Sequence, residues 1–273
     1  MARERTFRTE AIILRRSDFG EADRLLTLYS RELGKMKAIA KGARKPQSRK
    51  TGHVELFMRS NFLIAKGRDL DIITQAEIVE AYAPLRADLV LSTYASYAVE
   101  LLDRFTVEED RHNGIYDLLA DTLSRLAGTA DLRLVARYYE LHLLSFTGFR
   151  PRLFQCVSCA APIVEQDQFF SLELGGLLCP ECRQADVGAL PISAAAVKVL
   201  RYLQTRSWDA VQQLQLRAAL WQELEQLMLA YIVHTLERNL KSVDFLYRLR
   251  REAATYGDQD GLTHGRSDPA VFS

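Results

Sequence analysis

The 273-residue chain predicts a multidomain α+β protein. It should carry an N-terminal five-stranded barrel, an α-helical bundle and a four-cysteine metal-binding segment inserted into the bundle. Three observations lead there. Apolar residues alternate with a period of two over the first eighty residues, then switch to helical spacing after Tyr82-Ala83-Pro84. All four cysteines fall in two C-x2-C pairs separated by nineteen residues. Positive charge gathers in one short stretch of a chain whose net charge is only +1.

The strands come first. Residues 11–14, 25–29 and 36–40 are short and β-compatible. In the segment 54–65, Val54, Leu56, Met58, Phe62 and Ile64 share one face; in 70–79, Leu70, Ile72, Thr74, Ala76 and Ile78 do. Breakers separate the runs: Asp18-Phe19-Gly20, Glu32-Leu33-Gly34, the stretch 46–52, and the hairpin signal Lys66-Gly67-Arg68-Asp69. Five strands with no helix-length interval suggest a small closed barrel over residues 1–80, an OB-fold or, by strand count, an SH3-like barrel.

The helices follow. Val90, Tyr94, Tyr97, Ala98, Leu101, Leu102 and Phe105 form one apolar stripe; Ile115, Leu118, Leu119, Thr122, Leu123 and Leu126 a second; Leu132, Val135, Tyr139, His142, Leu143 and Phe146 a third. Gly128 and Gly148 read as helix stops, and Ser193 as a cap for a helix starting at Ala194. A last stripe through Leu216, Leu220, Leu224, Leu227, Met228, Tyr231 and Thr235 is expected to continue to Phe245. The helical domain therefore comprises 81–151 and 188–250, with 152–187 inserted. His142, on an apolar stripe, reads as a core residue rather than a ligand. The segment 251–273 is poor in apolar residues and is expected to be a disordered tail.

From Arg31 to Lys50 there are eight bases, Arg31, Lys35, Lys37, Lys41, Arg44, Lys45, Arg49 and Lys50, against the single acid Glu32. A local charge of +7 in a chain of +1 suggests a polyanion partner. The two-residue period puts Lys35, Lys37 and Lys41 on a face with Ile39, opposite Met36, Ala38 and Ala40. Side chains two apart on a strand are roughly 6.6–6.8 Å apart, a spacing suited to tracking a nucleic-acid backbone. A solvated edge strand guarded by lysines fits the same residues.

The cysteine pattern, Cys156-Val157-Ser158-Cys159 and Cys179-Pro180-Glu181-Cys182, has the spacing of a structural site for one zinc ion. Each two-residue knuckle lets two thiolates chelate one ion, and two knuckles complete a tetrahedron. Phe169-Phe170-Ser171-Leu172 and Gly175-Gly176-Leu177-Leu178 read as a hairpin carrying the second knuckle, with the metal standing in for a core too small to build. Paired redox cysteines compete as a reading, but no thioredoxin-like βαβ frame surrounds them.

Several classes find no support. There is no Walker-type G-x-x-x-x-G-K-S/T, no H-E-x-x-H and no G-x-S-x-G. No acid pair stands out as general acid and base, so no catalytic residue is named and the chain is not expected to be an enzyme. No apolar run reaches the ~18 residues of a membrane span, and the N-terminus leads into no signal-peptide core. A cytoplasmic, nucleoid-associated location is expected.

The order of parts resembles the RecO family of bacterial recombination mediators. The likeness rests on Thr9-Glu10-Ala11-Ile12-Ile13-Leu14-Arg15, Gly20-Glu21-Ala22-Asp23-Arg24-Leu25 and Gly34-Lys35-Met36-Lys37-Ala38-Ile39-Ala40-Lys41-Gly42. It continues in Leu144-Ser145-Phe146-Thr147-Gly148-Phe149-Arg150-Pro151, directly followed by the cysteine quartet. It spans roughly residues 6–250. The resemblance implies an N-terminal OB-fold, a helical domain and a zinc-binding insertion. It implies binding of single- and double-stranded DNA, annealing of strands coated with single-strand-binding protein, and recombinase loading with RecR. It implies DNA contacts from Lys35, Lys37 and Lys41, with Arg44 and Lys45 following in the adjoining loop. The C-terminal tail of the single-strand-binding protein would dock on the helical domain. A zinc-ribbon adaptor binding only proteins, or an RNA-binding OB-fold protein, would keep many of the same features.

Overall fold

The computed structural model describes residues 6–45, 51–128 and 131–236. Arg49, Lys50, the continuation of the last helix toward Phe245 and the tail 251–273 lie outside them.

The first five strands are β1 (Thr6–Phe19), β2 (Asp23–Ser30), β3 (Gly34–Ala40), β4 (Arg59–Ala65) and β5 (Asp71–Glu80). They close into a barrel in the order β1-β2-β3-β5-β4. All ladders are antiparallel except β3–β5, which is parallel over Ala38–Ala40 and Asp71–Ile73. That closure is the Greek-key arrangement of an OB-fold and leaves the SH3-like alternative behind. The apolar run Ala11-Ile12-Ile13-Leu14 is buried on both faces. Ala11 and Ile13 enter the barrel core, whereas Ile12 and Leu14 join the core beneath the helices.

Two strands depart from the simple alternation. The stretch 54–58 is a loop rather than the start of β4, because Phe57 sits at φ +70 and breaks the extended run. In β5 it is Ile73, fully buried, that enters the barrel, not the expected Ile72. The reason is a bulge: Leu63 faces Gln75 while Ile64 faces Ile73, which leaves Thr74 extra and inverts the faces on either side of it. Thr74 Oγ1 donates to the Leu63 carbonyl at 2.9 Å and secures the kink.

The helices are α1 (Pro84–Ala87), α2 (Leu89–Phe105), α3 (Asn113–Gly128) and α4 (Leu132–Phe146), followed after the insertion by α5 (Ala194–Thr205), α6 (Trp208–Val211) and α7 (Ala218–Leu236). Asp88 caps α2 by accepting from Leu91 N, and Asp131 caps α4 by accepting from Arg133 N and Leu134 N. Gly148, at φ +88, ends α4 in the left-handed turn expected of a helix stop, with Phe149 N donating to Leu144 O at 2.8 Å. Ser193 caps α5 as expected, its hydroxyl accepting from Ala196 N and donating to Glu223 at 2.8 Å. The stripes face inward except at their ends, where Val90 on the first turn of α2 and Phe146 at the end of α4 are exposed. His142 is partly buried, ring-stacked on Tyr138 at 4.1 Å, and burial holds its pKa below the usual histidine value.

The insertion forms a small sheet in the order β7-β6-β8, from β6 (Gln168–Ser171), β7 (Gly176–Leu178) and β8 (Leu190–Ile192). It is not a free-standing knuckle. Leu153, Cys156, Phe170, Leu177 and Leu178 belong to the same continuous core as the helices. Phe170 meets Tyr231 of α7 edge-on at 5.3 Å, and the Tyr231 hydroxyl donates to Phe149 O at 3.0 Å. Metal is therefore not the sole organiser of this segment.

Barrel and helices are tied directly. Tyr116 donates to Glu10 Oε1 at 2.6 Å, Tyr82 to the Ala120 carbonyl at 3.2 Å, and Arg31 pairs with Asp117 at 3.0 Å.

Candidate nucleic-acid interface and metal site

The structure sorts the five expected DNA-contacting cations into different roles. β3 alternates as the sequence requires: Met36, Ala38 and Ala40 pack in the barrel core, and Lys35 and Lys37 point away from it. Yet the two lysines meet different surroundings. Lys35 is only 12% exposed. Its Nζ donates to the main-chain oxygens of Asp103 at 2.6 Å and Thr106 at 2.5 Å, and to Asp103 Oδ1 at 3.2 Å. Asp103 lies in the last turn of α2 and Thr106 is its C-cap, where C=O groups have no helical partner of their own and the helix dipole favours a cation. Lys35 thus fastens the barrel to the end of α2. The ammonium group has three acceptors within the protein itself.

Lys37 is about half exposed and pairs with Glu108 at 2.5 Å. Lys41 lies one residue beyond β3, in an exposed turn whose shape depends on Gly42 at φ +69. Gly42 N donates to Asp23 Oδ1 at 2.7 Å and Arg44 N to Ala22 O at 2.9 Å, so this turn packs against the β1–β2 turn. Arg44 reaches Asp18 Oδ2 at 3.3 Å and the carbonyls of Gly20 and Glu21. Among the described residues no ion pair or hydrogen bond engages the side chains of Lys41 or Lys45, and both are exposed. Between Asp18 and Gly20, two of the three Arg44 partners, stands Phe19, 41% exposed. The other barrel aromatics are spoken for: Tyr29, Phe57 and Phe62 are buried, and Phe7 carries Lys66 on its ring at 4.8 Å.

The residues that fix these roles were not singled out from the sequence. Asp103, Thr106 and Glu108 lie some seventy positions from the lysines they meet. A faint signal existed for one of them: Glu108-Glu109-Asp110 is a run of acids in the loop between two helical stripes.

The cysteines converge as expected. The four Sγ atoms of Cys156, Cys159, Cys179 and Cys182 all lie within 4.8 Å of one another, and Cys159 and Cys179 are 3.8 Å apart. Zn–S bonds of about 2.3 Å in a tetrahedron require sulfurs about 3.8 Å apart; the Cys159–Cys179 pair has that spacing and the whole quartet lies close to it. Backbone places the sulfurs. The first knuckle turns at Ala160, at φ +60, with Ala160 N donating to Cys156 O. It is stitched to β7 by Val157 N donating to Leu177 O at 2.8 Å. Cys179 N donates to Cys156 Sγ at 3.4 Å. Burial raises the Cys156 thiol, but hydrogen bonds from the backbone at Cys159, Cys179 and Ser158 outweigh it and bring the pKa down to about 6. Cys179 is pushed up, chiefly by the Glu181 carboxylate beside it. Four sulfur ligands leave no open coordination position, so the site suits a structural ion.

Comparison with known proteins identifies the family. The family described as Recombination protein O N terminal matches residues 1–82, and Recombination protein O C terminal matches 86–244. A protein named DNA repair protein RecO from Roseiflexus sp. (strain RS-1) is 44% identical, covering 93% of this chain and 89% of its own. RecO proteins of Desulforudis audaxviator and of Dehalococcoides mccartyi strain 195 are 41% and 37% identical, over 89% and 92% of this chain and 97% and 99% of theirs. The chain therefore belongs to the RecO family of DNA repair and recombination proteins.

Proposed function

We propose that this protein is a recombination mediator that binds single- and double-stranded DNA through its barrel and anneals complementary strands coated with single-strand-binding protein. It would assist recombinase loading together with RecR. The observation that carries the reading is the cation group Lys37, Lys41, Arg44 and Lys45 on β3 and the turn that follows, a turn that packs against the β1–β2 turn next to the exposed Phe19.

Annealing breaks and forms no covalent bond. Two phosphate backbones must approach against their repulsion, and a basic surface lowers that barrier by displacing counterions. Four cations meeting phosphates give a slope of log affinity against log salt of about −3 for single strands. Phe19 supplies a face on which any base can stack, which suits sequence-tolerant binding. Lys35 acts one step back, holding β3 against α2 so that the other cations keep their places. The metal is zinc in this reading, because four thiolates in tetrahedral geometry favour it. It would lock the two knuckles together and leave the chemistry of DNA untouched.

The test is fluorescence anisotropy of the full chain with labelled single-stranded DNA, matched duplex and matched RNA over a range of salt. DNA binding that weakens with salt at about the stated slope is expected. No salt-sensitive binding would point to a protein-only adaptor, and a clear preference for RNA would redirect the reading to that ligand.

A further inference from the structure

We infer that the acidic segment Glu108-Glu109-Asp110 is a built-in competitor for the nucleic acid on β3, with the Glu108 carboxylate occupying the place a phosphate takes on Lys37. The inference rests on the DNA-binding reading above and concerns how that site is regulated.

The barrel leaves room for such a segment. β3 pairs with β5 only from Ala38 onward. On the stretch before it, the loop between α2 and α3 comes alongside: Lys35 and Glu108 form a parallel bridge, and Glu109 N donates to Lys35 O at 3.0 Å. Gly34 makes the approach feasible. It sits at φ +71, and a side chain there would place its Cβ 2.0 Å from Asp110 O. The backbone of the acidic segment is thus fastened along the strand, and its three side chains are exposed. Glu108 reaches Lys37 Nζ at 2.5 Å, with both side chains about half exposed.

Two consequences follow from the chemistry. The backbone is held, so exchange needs only rotation of the Glu108 side chain. An exposed ion pair is weak and screened by salt, so a phosphate can displace it. Glu108 therefore lowers affinity without closing the site, and favours a ligand that brings several phosphates at once over an isolated anion.

The test is anisotropy binding of the full chain to a labelled oligo-dT strand at about 0.1 M salt, comparing the native protein with Glu108→Gln, Lys37→Met and the double variant. Glu165→Gln, which removes an acid from the Lys198 pair on the metal-binding segment, controls for net charge. Tightening of up to about fivefold is expected for Glu108→Gln, lost when Lys37 is also replaced, with no change for Glu165→Gln. If Lys37→Met weakens binding but Glu108→Gln changes nothing, the competitor role is overturned. It is equally overturned if the gain persists without Lys37 or appears with Glu165→Gln, since net charge would then explain it. Absence of binding by every protein, the native chain included, would overturn the DNA reading itself.

Discussion

The cysteine quartet and the β3 lysines are both short clusters of like groups, and the fold treats them in opposite ways. At the metal site, two knuckles from distant turns bring all four sulfurs within 4.8 Å of one another, so the members act as a unit. Along β3 the fold separates the members: Lys35 is committed to the end of α2, Lys37 shares its charge with Glu108, and Lys41 stands in an exposed turn. The difference lies in what satisfies each group. A thiolate cluster has one good solution, a shared cation. A lysine takes any acceptor within reach, so its role depends on what packs next to it. A cluster of charges in sequence is thus a weaker statement of a site than a cluster of ligands.

The largest effect is expected at the metal site. Cys156→Ser should abolish stoichiometric metal, measured by elemental analysis of the purified protein, and lower the thermal midpoint by roughly 10 °C or more. Cys156 is buried in the shared core, so loss of the ion is felt by the bundle as well. Metal retained at one ion per chain would show that the four cysteines do not act as a unit. A smaller effect should come from the exposed end of the barrel. Phe19→Ala should weaken single-strand binding by about 1 kcal/mol, roughly fivefold, and leave duplex binding nearly unchanged, because paired bases offer no free face. Equal weakening on both would show that Phe19 shapes the turn instead of stacking on a base.

The sequence made some of this legible and hid the rest for identifiable reasons. The cysteine site was readable because knuckle spacing is local, as were the Ser193 cap and the Gly148 stop. The barrel was readable from its alternation, except where one residue disturbed the period: the Thr74 bulge turned Ile73 rather than Ile72 into the core, and Phe57 at positive φ ended an apparent strand. The fate of Lys35 could not be read at all. Its acceptors, Asp103 and Thr106, are 68 and 71 positions away, and two of the three contacts are main-chain oxygens that no side-chain pattern announces. The same holds for Glu108 against Lys37. Strand alternation tells which way a lysine points; tertiary packing decides what it finds there.

The division of labour within β3 is tested most directly by measuring urea unfolding and oligonucleotide affinity side by side for Lys35→Met and Lys37→Met. Loss of Lys35 leaves Asp103 Oδ1 and two carbonyls short of a donor, although Arg15 still pairs with Asp103 Oδ2 at 3.2 Å, so stability should fall by about 1–3 kcal/mol, while affinity per folded molecule stays close to native. Lys37→Met should do the reverse, with stability nearly unchanged and a salt slope shallower by about 0.7 on single strands. If Lys35→Met leaves stability intact and weakens DNA binding, Lys35 contacts DNA and the division is wrong.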